Sequence, residues 1–407
     1  MSILDFVMDN RSVQNSKESD ATEMKHDPPN ILHLINVRWY NACAYYALSL
    51  ADALKRQGCR IKIAGDPGIP VFVKAKILGL DFDETPRFSS YLPWEFVKNM
   101  LWLKRMVINE KFDIIVAHRG EAHTSAMLAK KLFNLNFKLI RVRGDVRVPR
   151  EDIFNKILYG DTTDGIFCST DKLKEDYINK FRSLKDNVHT LPTGIDEEYY
   201  GKSWEIKDVR EKYGLPSQGI VISLLGRLSP VKGHKTFIKM AGIISKHFPD
   251  ATFLIAGEEF EVTCIDINEM ISDFSPKANF KILGVVDDVR EILAITDIAV
   301  ITSLDSEMIP RVALEYMASG KPIVASNINA LAEAIDEDKG GYLADPGDFN
   351  GFANSVMVLL KDEQKRKDFG SYNKKQAATK YSYRKWAIDF MKYCNMVYRS
   401  DDRQLNG

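Results

Sequence analysis

The sequence lacks the features that mark the common nucleotide-binding, metal-binding and hydrolytic families. Its 24 glycines include no G-x-G pair, which excludes the dinucleotide fingerprint, and no Walker A phosphate loop occurs. No group of cysteines and histidines has the spacing of a zinc site, and there is no G-x-S-x-G motif. These absences argue against dehydrogenases, phosphate-loop ATPases, zinc hydrolases and serine hydrolases.

Net charge, clustered cysteine and long apolar runs are absent as well. Lys+Arg and Asp+Glu both number 56, whereas a nucleic-acid-binding protein would carry a basic excess, so no nucleic-acid partner is expected. The five cysteines are scattered and form no C-x-x-C pair, which is typical of reduced thiols in a cytoplasmic protein. No apolar run approaches 18 residues and the N-terminal sequence lacks the basic segment of a signal peptide. We therefore expect a cytoplasmic protein without a membrane span.

The sequence does contain a repeated alternation of short apolar runs and longer amphipathic segments. The apolar runs lie at 31–35, 60–65, 112–118, 137–143 and 165–169, and again at 221–226, 252–257, 280–284, 298–302 and 322–326. Strands that alternate with helices predict parallel sheets covered on both faces. The predicted fold is α/β, with two doubly wound, Rossmann-like domains facing each other across a cleft and a C-terminal helix that crosses back to the first domain.

A turn-rich segment between the two alternations sets the predicted domain boundaries. The predicted parts are a mobile tail (1–29), an N-terminal Rossmann-like domain (30–190), a linker (191–203), a C-terminal Rossmann-like domain (204–382) and a return helix with a tail (383–407). Because open parallel sheets bind ligands at the carboxyl ends of their strands, we expect the functional site there.

Two motifs in the C-terminal half carry candidate chemistry. Gly226–Gly233 follows a strand and places Arg227 and Lys232 at the start of a helix, where backbone amides already favour anions such as a diphosphate. Farther along, Glu307 precedes a helix and Glu315 lies inside it, and carboxylates are good acceptors for sugar hydroxyls. Taken alone, the first motif is better explained as a solvated basic turn, and the second as ordinary helix acids.

Taken together with a third motif, these segments resemble a known family. Residues 226–233 match G-R-x-x-x-x-K-G, residues 307–315 match two glutamates eight positions apart, and residues 318–325 match A-x-G-x-P-V/I-V-A. The order and the intervals resemble those of the C-terminal domain in retaining glycosyltransferases of the GT-B fold, family 4. The first domain resembles that family mainly in its layout.

The resemblance implies a retaining glycosyltransferase that uses a nucleotide-sugar donor and a glycan or lipid-linked acceptor, as in cell-surface polysaccharide or lipopolysaccharide biosynthesis. It makes the domain over 30–190 the acceptor-side domain and the domain over 204–382 the nucleotide-sugar-binding domain. By matching positions, Arg227 and Lys232 would hold the diphosphate, Glu315 the ribose and Glu307 the transferred sugar. No metal or other cofactor is expected, because the two cations can stabilise the charge that develops on the leaving group.

The resemblance also assigns residues around this core. Gly284 and Val285 would receive the base, and Met308 and Ile309 would continue the donor-binding loop after Glu307. His118 ends a strand of the first domain, where the family often has a histidine that contacts the donor sugar. It completes the candidate catalytic set with Glu307, Arg227 and Lys232; the alternative is a buried structural histidine.

Two other functions remain open from the sequence. One is a sugar-nucleotide epimerase of the same fold, which would convert the donor without an acceptor. The other is a non-catalytic partner that binds nucleotide sugars, and the bulky loop at residues 36–42 keeps this alternative open.

Residues 94–111 combine two tryptophans with several basic side chains. They lie within residues 30–190, where 26 Lys+Arg against 18 Asp+Glu give a net charge of +8. One interpretation is an ordinary amphipathic helix of the first domain. The other is peripheral contact with an anionic membrane surface, on the inner face of the cytoplasmic membrane.

Overall fold

The chain divides into two compact units. A computed structural model describes residues 28–144, 150, 152–181, 186–305, 307, 308 and 310–402, with side chains to residue 394 apart from that of 161. The N-terminal unit contains residues 28–194 and, after an interval, 383–402, whereas the C-terminal unit contains 195–382. Most of the predicted tail, residues 1–27, lies outside the described residues.

The N-terminal unit is built on a seven-stranded parallel sheet with the order β3-β2-β1-β4-β5-β6-β7. Its strands are β1 Asn30–Leu34, β2 Arg60–Ala64, β3 Asp81–Asp83, β4 Ile114–Ala117, β5 Lys138–Arg143, β6 Gly165–Cys168 and β7 Val188–Thr190. The order reverses at β1, which pairs with β2 on one side and β4 on the other, as in doubly wound folds. The carboxyl ends of β1 and β4 are therefore neighbours.

The helices of this unit connect consecutive strands. They are α1 Ala42–Arg56, α2 Pro70–Ile77, α3 Pro93–Glu110, α4 Gly120–Leu132, α5 Ile153–Asn155, followed by a π-helix over Lys156–Thr162, and α6 Asp171–Lys180. The central helix α1 begins where the Asn41 side chain accepts hydrogen bonds from the amides of Cys43 and Ala44, at 3.0 and 3.1 Å.

The last helix of the chain also belongs to the N-terminal unit, as predicted. In this helix, Tyr383–Asp402, the Trp386 ring packs edge-on against Tyr46 of α1, with 4.8 Å between the ring centroids. Phe390 packs in the same manner on Phe167 of β6, at 5.2 Å. Gly194, the last residue of the unit's first segment, also packs on this helix. A Cβ atom at Gly194 would lie 2.5 Å from the Trp386 ring, so this position requires glycine.

The C-terminal unit is built on a six-stranded parallel sheet with the order β10-β9-β8-β11-β12-β13. Its strands are β8 Val221–Leu225, β9 Thr252–Ala256, β10 Asn279–Ile282, β11 Ile298–Ile301, β12 Ile323–Ser326 and β13 Gly341–Ala344. β8 pairs with β9 on one side and with β11 on the other, so the strand order reverses at β8. β8 and β11 are neighbours in the sheet although they are far apart in sequence. The carboxyl ends of β8 and β11 lie side by side.

The helices of the C-terminal unit cover both faces of this sheet. They are α7 Glu197–Tyr200, α8 Ile206–Lys212, α9 His234–Ile244, α10 Cys264–Phe274, α11 Val289–Ile295, α12 Arg311–Ala318, α13 Asn329–Ala334, α14 Phe349–Lys361 and α15 Glu363–Thr379; the return helix Tyr383–Asp402 is α16. Successive residues of β9 and β11 join two different buried clusters, with Leu254 and Ala299 in one and Phe253 and Val300 in the other. This alternation shows that each face of the sheet has its own core.

The ten apolar runs of the sequence all correspond to strands, and the strands that were missed lie at sheet edges. These are β3, β7 and β13. An edge strand has a neighbour on one side alone and contributes less to the core; β3 is three residues long and two of them are aspartates. The predicted linker 191–203 contains helix α7, and the boundaries of the two units fall after 194 and after 382.

Candidate active site

The first motif forms a tight turn between β8 and α9. The backbones of the loops after β8 and β9 touch here, since a Cβ atom at Gly257 would lie 1.8 Å from the carbonyl oxygen of Gly226. Lys232 ends a short 3₁₀ turn, and Gly233 follows with a φ of +70°. A side chain at Gly233 would place Cβ 2.0 Å from the carbonyl oxygen of Thr302, so both the conformation and the space require glycine. The turn therefore fixes the position of the Lys232 backbone, from which its side chain extends.

Lys232 and Glu307, 75 residues apart, form an ion pair. The Lys232 ammonium donates to Glu307 Oε1, and the Ser303 hydroxyl donates to the same oxygen at 2.7 Å. The Lys232 and Glu307 side chains are 25% and 11% exposed, which leaves the pair at the edge of the protein interior. Among the described residues, Lys232 and Ser303 therefore both donate to the same carboxylate oxygen of Glu307.

The backbones of the two motifs are tied together as well. The Thr302 hydroxyl donates to the carbonyl oxygens of Lys232 and Gly233, both at 3.0 Å, and the amide of Leu304 donates to the carbonyl of Val231 at 2.8 Å. The carbonyl of Glu307 accepts the amide of Ala330 at 2.9 Å. These bonds hold the turn after β8 and the loop after β11 in one arrangement.

Glu315 lies on α12 and is almost fully buried. Its Oε1 accepts the Tyr200 hydroxyl at 3.0 Å and Nε of Arg311 at 2.7 Å. The helix begins at Arg311, with Pro310 as the residue before it. Glu307 therefore precedes the helix and Glu315 lies inside it, in the predicted order.

Arg227 does not contact the Lys232–Glu307 pair in the described part of the chain. Its side chain is exposed, and the guanidinium carbon lies 4.7 Å from the centroid of the Phe260 ring. The structure places the two cations of the first motif in different surroundings, one in an ion pair and one on an aromatic ring.

The loop after β10 holds two further predicted residues. Gly284 has a φ of +56°, and its carbonyl oxygen accepts the amide of Gly257 at 2.7 Å, which ties this loop to the end of β9. The side chain of Val285 is 48% exposed. Met308 is buried beside Glu307, and Ile309 lies outside the described residues.

Sequence models of two families match the chain, one in each unit. The model described as "Glycosyl transferases group 1" matches residues 205–376, which include all the predicted residues of the C-terminal unit. The model described as "Glycosyltransferase Family 4" matches residues 44–199. The chain belongs to glycosyltransferase family 4.

Two relatives of this glycosyltransferase share about a quarter of its residues over the matched region. It is 25% identical to the UDP-Gal:alpha-D-GlcNAc-diphosphoundecaprenol alpha-1,3-galactosyltransferase of Escherichia coli, over 66% of this chain and 71% of that protein. It is 23% identical to a D-inositol 3-phosphate glycosyltransferase of Paenarthrobacter aurescens, over 80% and 86% of the two chains.

Solved structures share the two-domain GT-B fold. A glycosyltransferase from Rickettsia africae has a TM-score of 0.81 at 18% identity and covers 92% of this chain and 99% of its own. HepE from Anabaena, solved in complex with UDP, has a TM-score of 0.78 at 17% identity and covers 90% and 100%.

His118 of the glycosyltransferase lies in the N-terminal unit, directly after β4. Its Nε2 is 3.1 Å from Nδ1 of His33 on the neighbouring strand, and the rings stack with 5.4 Å between their centroids. Burial lowers the pKa of His118 well below its usual value, and the charge of Arg141 acts in the same direction. Burial also lowers the pKa of His33 to about 3. Both rings are therefore neutral at pH 7, and one nitrogen of the contact donates while the other accepts.

Three residues of the C-terminal unit were missed by the sequence analysis. Thr302 and Ser303 follow β11, and Tyr200 lies in the predicted linker. The signal available for the first two was their place directly after an apolar run, where polar residues of a parallel sheet collect at the functional edge. No sequence signal pairs Tyr200 with a residue 115 positions away.

The neutral histidines predict a pH dependence of stability. The unfolded chain binds protons at His33 and His118 below about pH 6.5, whereas in the folded chain burial keeps these two rings neutral, so the free energy of unfolding should fall as the pH falls below 6.5. His118→Asn should reduce this dependence by up to about one proton, or about 1.4 kcal/mol per pH unit. Chemical denaturation at pH 7.5, 6.0 and 5.0 measures both, with the His247→Asn variant as a control outside the cluster. Equal pH dependence in the His118 variant and in the wild type would contradict the assignment of a neutral, buried ring.

Proposed function

We propose that this glycosyltransferase transfers a sugar from a nucleotide-sugar donor to a glycan or lipid-linked acceptor, with retention at the anomeric carbon, in cell-surface polysaccharide or lipopolysaccharide biosynthesis. The observation that carries the proposal is the Lys232–Glu307 pair at the carboxyl edge of the sheet. It joins a cation suited to a leaving diphosphate with a carboxylate suited to sugar hydroxyls. The relatives support the donor class, since HepE has been solved with UDP-glucose and the E. coli relative is named for UDP-Gal.

The proposed chemistry divides the donor among the residues of the C-terminal unit. When the bond between the sugar and the diphosphate breaks, negative charge grows on the diphosphate, and the Lys232 ammonium is placed to stabilise it. Arg227 would add a second cation by leaving the Phe260 ring, where it is exposed. Glu307 would accept hydroxyls of the transferred sugar. A diphosphate must therefore compete with Glu307 for Lys232.

The nucleoside end of the donor would be held by Glu315 and by the loop after β10. Both described bonds to Glu315 end on Oε1, so we propose that Oε2 accepts the ribose hydroxyls. Gly284 and Val285 would contact the base, and Met308 and Ile309 would border the sugar. We also propose that His118 contacts the sugar as a neutral ring.

No divalent metal or other cofactor is part of this proposal, because Lys232 and Arg227 would supply the positive charge. Among the described residues, no group of three or more His, Cys, Asp or Glu is placed to hold a metal ion.

A ligand panel tests the proposed function directly. UDP, GDP and ADP, each with and without an attached sugar, should include one nucleotide pair that raises the midpoint of thermal unfolding, because a ligand that binds the native state stabilises it. Protein that has first been dialysed against a chelator should still turn over that sugar nucleotide and form the nucleoside diphosphate as product. Nuclear magnetic resonance should show that a transferred sugar keeps its anomeric configuration. Binding without turnover, conversion of the donor to its epimer, or inversion would each contradict the proposal.

The two glutamates should be separable by ligand. Hydrogen bonds to charged groups contribute about 1.5–3 kcal/mol, so Glu315→Gln should weaken both the bare nucleotide and the sugar nucleotide by about tenfold or more. Glu307→Gln should weaken the sugar nucleotide and lower kcat, but it should not weaken the bare nucleotide, because it also frees Lys232 from its ion pair. Calorimetric titration of both ligands measures the difference.

A matched control is available in the same unit. Glu291 is buried and accepts Lys212 Nζ and the Tyr213 hydroxyl, both at 2.6 Å, so Glu291→Gln makes the same chemical change in a similar environment. It should leave both affinities within about twofold of the wild type. If Glu307→Gln weakens the bare nucleotide as much as Glu315→Gln does, the proposed division of the donor is wrong.

We further propose a cytoplasmic enzyme that docks on the inner face of the cytoplasmic membrane through α3. Helix α3 exposes an apolar stripe, formed by Trp94, Val97, Leu101 and Ile108, at the spacing of one helix face. Exposed basic residues flank the stripe: Lys98, Lys104 and Arg105. Apolar side chains bordered by cations suit an interface with anionic lipid. Within the described ranges, none of the helices combines the length and the apolar character that crossing a bilayer needs.

Vesicle binding tests this contact. The protein should sediment with vesicles that contain phosphatidylglycerol, should bind less to neutral phosphatidylcholine, and should lose binding as salt is raised. Replacing Trp94 and Leu101 with Glu should weaken binding about tenfold or more, since burying such a side chain contributes about 1.5–3 kcal/mol. Val73→Glu changes a residue of α2 in the same unit that is 45% exposed, against 56% for Trp94 and 52% for Leu101, and should have little effect. Equal losses in the two variants would contradict a docking face on α3.

A further inference from the structure

Two adjacent hydroxyl side chains follow β11 and contact the two halves of the candidate donor site. Thr302 donates to the backbone of the first motif, at the carbonyl oxygens of Lys232 and Gly233. Ser303 donates to the side chain of the second motif, at Glu307 Oε1. Consecutive residues of one strand end therefore hold one backbone and one carboxylate.

The Glu307 carboxylate faces a change of partners during the proposed reaction. In the structure, Lys232 and Ser303 share its Oε1. A donor diphosphate would attract the Lys232 ammonium, because a diphosphate carries more negative charge than one carboxylate. Glu307 would then lose its cation while its side chain stays largely buried, and a buried carboxylate needs a hydrogen-bond donor.

Of the two donors to Glu307 Oε1 among the described residues, Ser303 is the one that would remain. Its side chain is buried, and its place directly after β11 fixes its backbone, so it has little freedom to follow Lys232. The backbone of Glu307 is also anchored, through the bond from the Ala330 amide to its carbonyl oxygen. With both backbones held, the Glu307 side chain can still rotate about its own bonds. The hydrogen bond from the Ser303 hydroxyl to Oε1 restricts that rotation.

We propose that Ser303 is a positioning residue, which holds the Glu307 carboxylate in the orientation that receives the sugar when Lys232 turns to the diphosphate. This inference rests on the proposed function, since it assumes a donor diphosphate at Lys232 and a sugar at Glu307. It predicts that Ser303 affects the chemical step and the sugar, and leaves the affinity for the bare nucleotide alone.

Two variants of Ser303 test the proposal. Ser303→Ala removes the hydroxyl and should lower kcat for release of the nucleoside diphosphate by about tenfold to a hundredfold, the effect of one lost bond to a charged group. Its affinity for the bare nucleotide should stay within about twofold. Ser303→Thr keeps the hydroxyl and should recover most of kcat.

Ser326→Ala is the matched control. Ser326 is a fully buried serine at the end of the neighbouring strand β12, and its hydroxyl has no hydrogen-bond partner in the described part of the chain. Its removal should leave kcat near that of the wild type. All variants are compared by thermal unfolding, and by calorimetry with the nucleotide and the sugar nucleotide that give the largest shift in the UDP, GDP and ADP panel.

A second background separates positioning from packing. In a Glu307→Gln protein, the additional Ser303→Ala change should lower kcat by less than about threefold, because a residue that acts through Glu307 adds little once that carboxylate is gone. Additive losses would overturn the proposal, as would a Ser303→Ala enzyme with the wild-type kcat, or a Ser303→Thr enzyme as slow as Ser303→Ala. A wild-type protein that binds none of the panel would overturn the proposed function itself, and this inference with it.

Discussion

The parallel pairing of β8 with β11 is the constraint on which the candidate site depends. The two strands are neighbours in the sheet although some 75 residues separate them in sequence, and both run in the same direction. Their carboxyl ends therefore emerge side by side, and the segments that follow carry Lys232 and Glu307. Neither residue could meet the other if one of the strands were reversed or displaced in the order. The ion pair is a consequence of topology before it is a matter of local sequence.

The surroundings of the pair explain why small and hydroxyl-bearing residues occur where they do. Backbones touch at Gly257 and Gly233, where an added Cβ atom would collide with a carbonyl oxygen. Thr302 and Ser303 then supply the hydrogen bonds that a close approach of loops demands. The charged side chains are thus attached to loops whose backbones are held together by close contacts and hydroxyl hydrogen bonds.

Much of this could be predicted from the sequence, and the limits have physical reasons. Apolar runs identify central strands because those strands are buried on both faces, whereas β3 and β7 lie at sheet edges and carry weaker patterns. The order of Glu307 and Glu315 along the chain could be predicted, but the bond from Tyr200 to Glu315 could not, because it joins two separate helices. Arg227 was grouped with Lys232 by their place in one motif and by the family resemblance, and the structure shows that side chains on one turn can point to different partners.

The packing of α16 on the N-terminal unit has a consequence for folding during translation. The C-terminal unit is one continuous stretch of chain, whereas the N-terminal unit receives Trp386 and Phe390 only after that entire stretch has been synthesised. The surface of α1 around Tyr46 therefore stays uncovered during translation of nearly 200 residues. Domains usually fold in the order in which they are synthesised. Here the C-terminal unit can complete its fold before the N-terminal unit does, because the N-terminal unit still lacks α16.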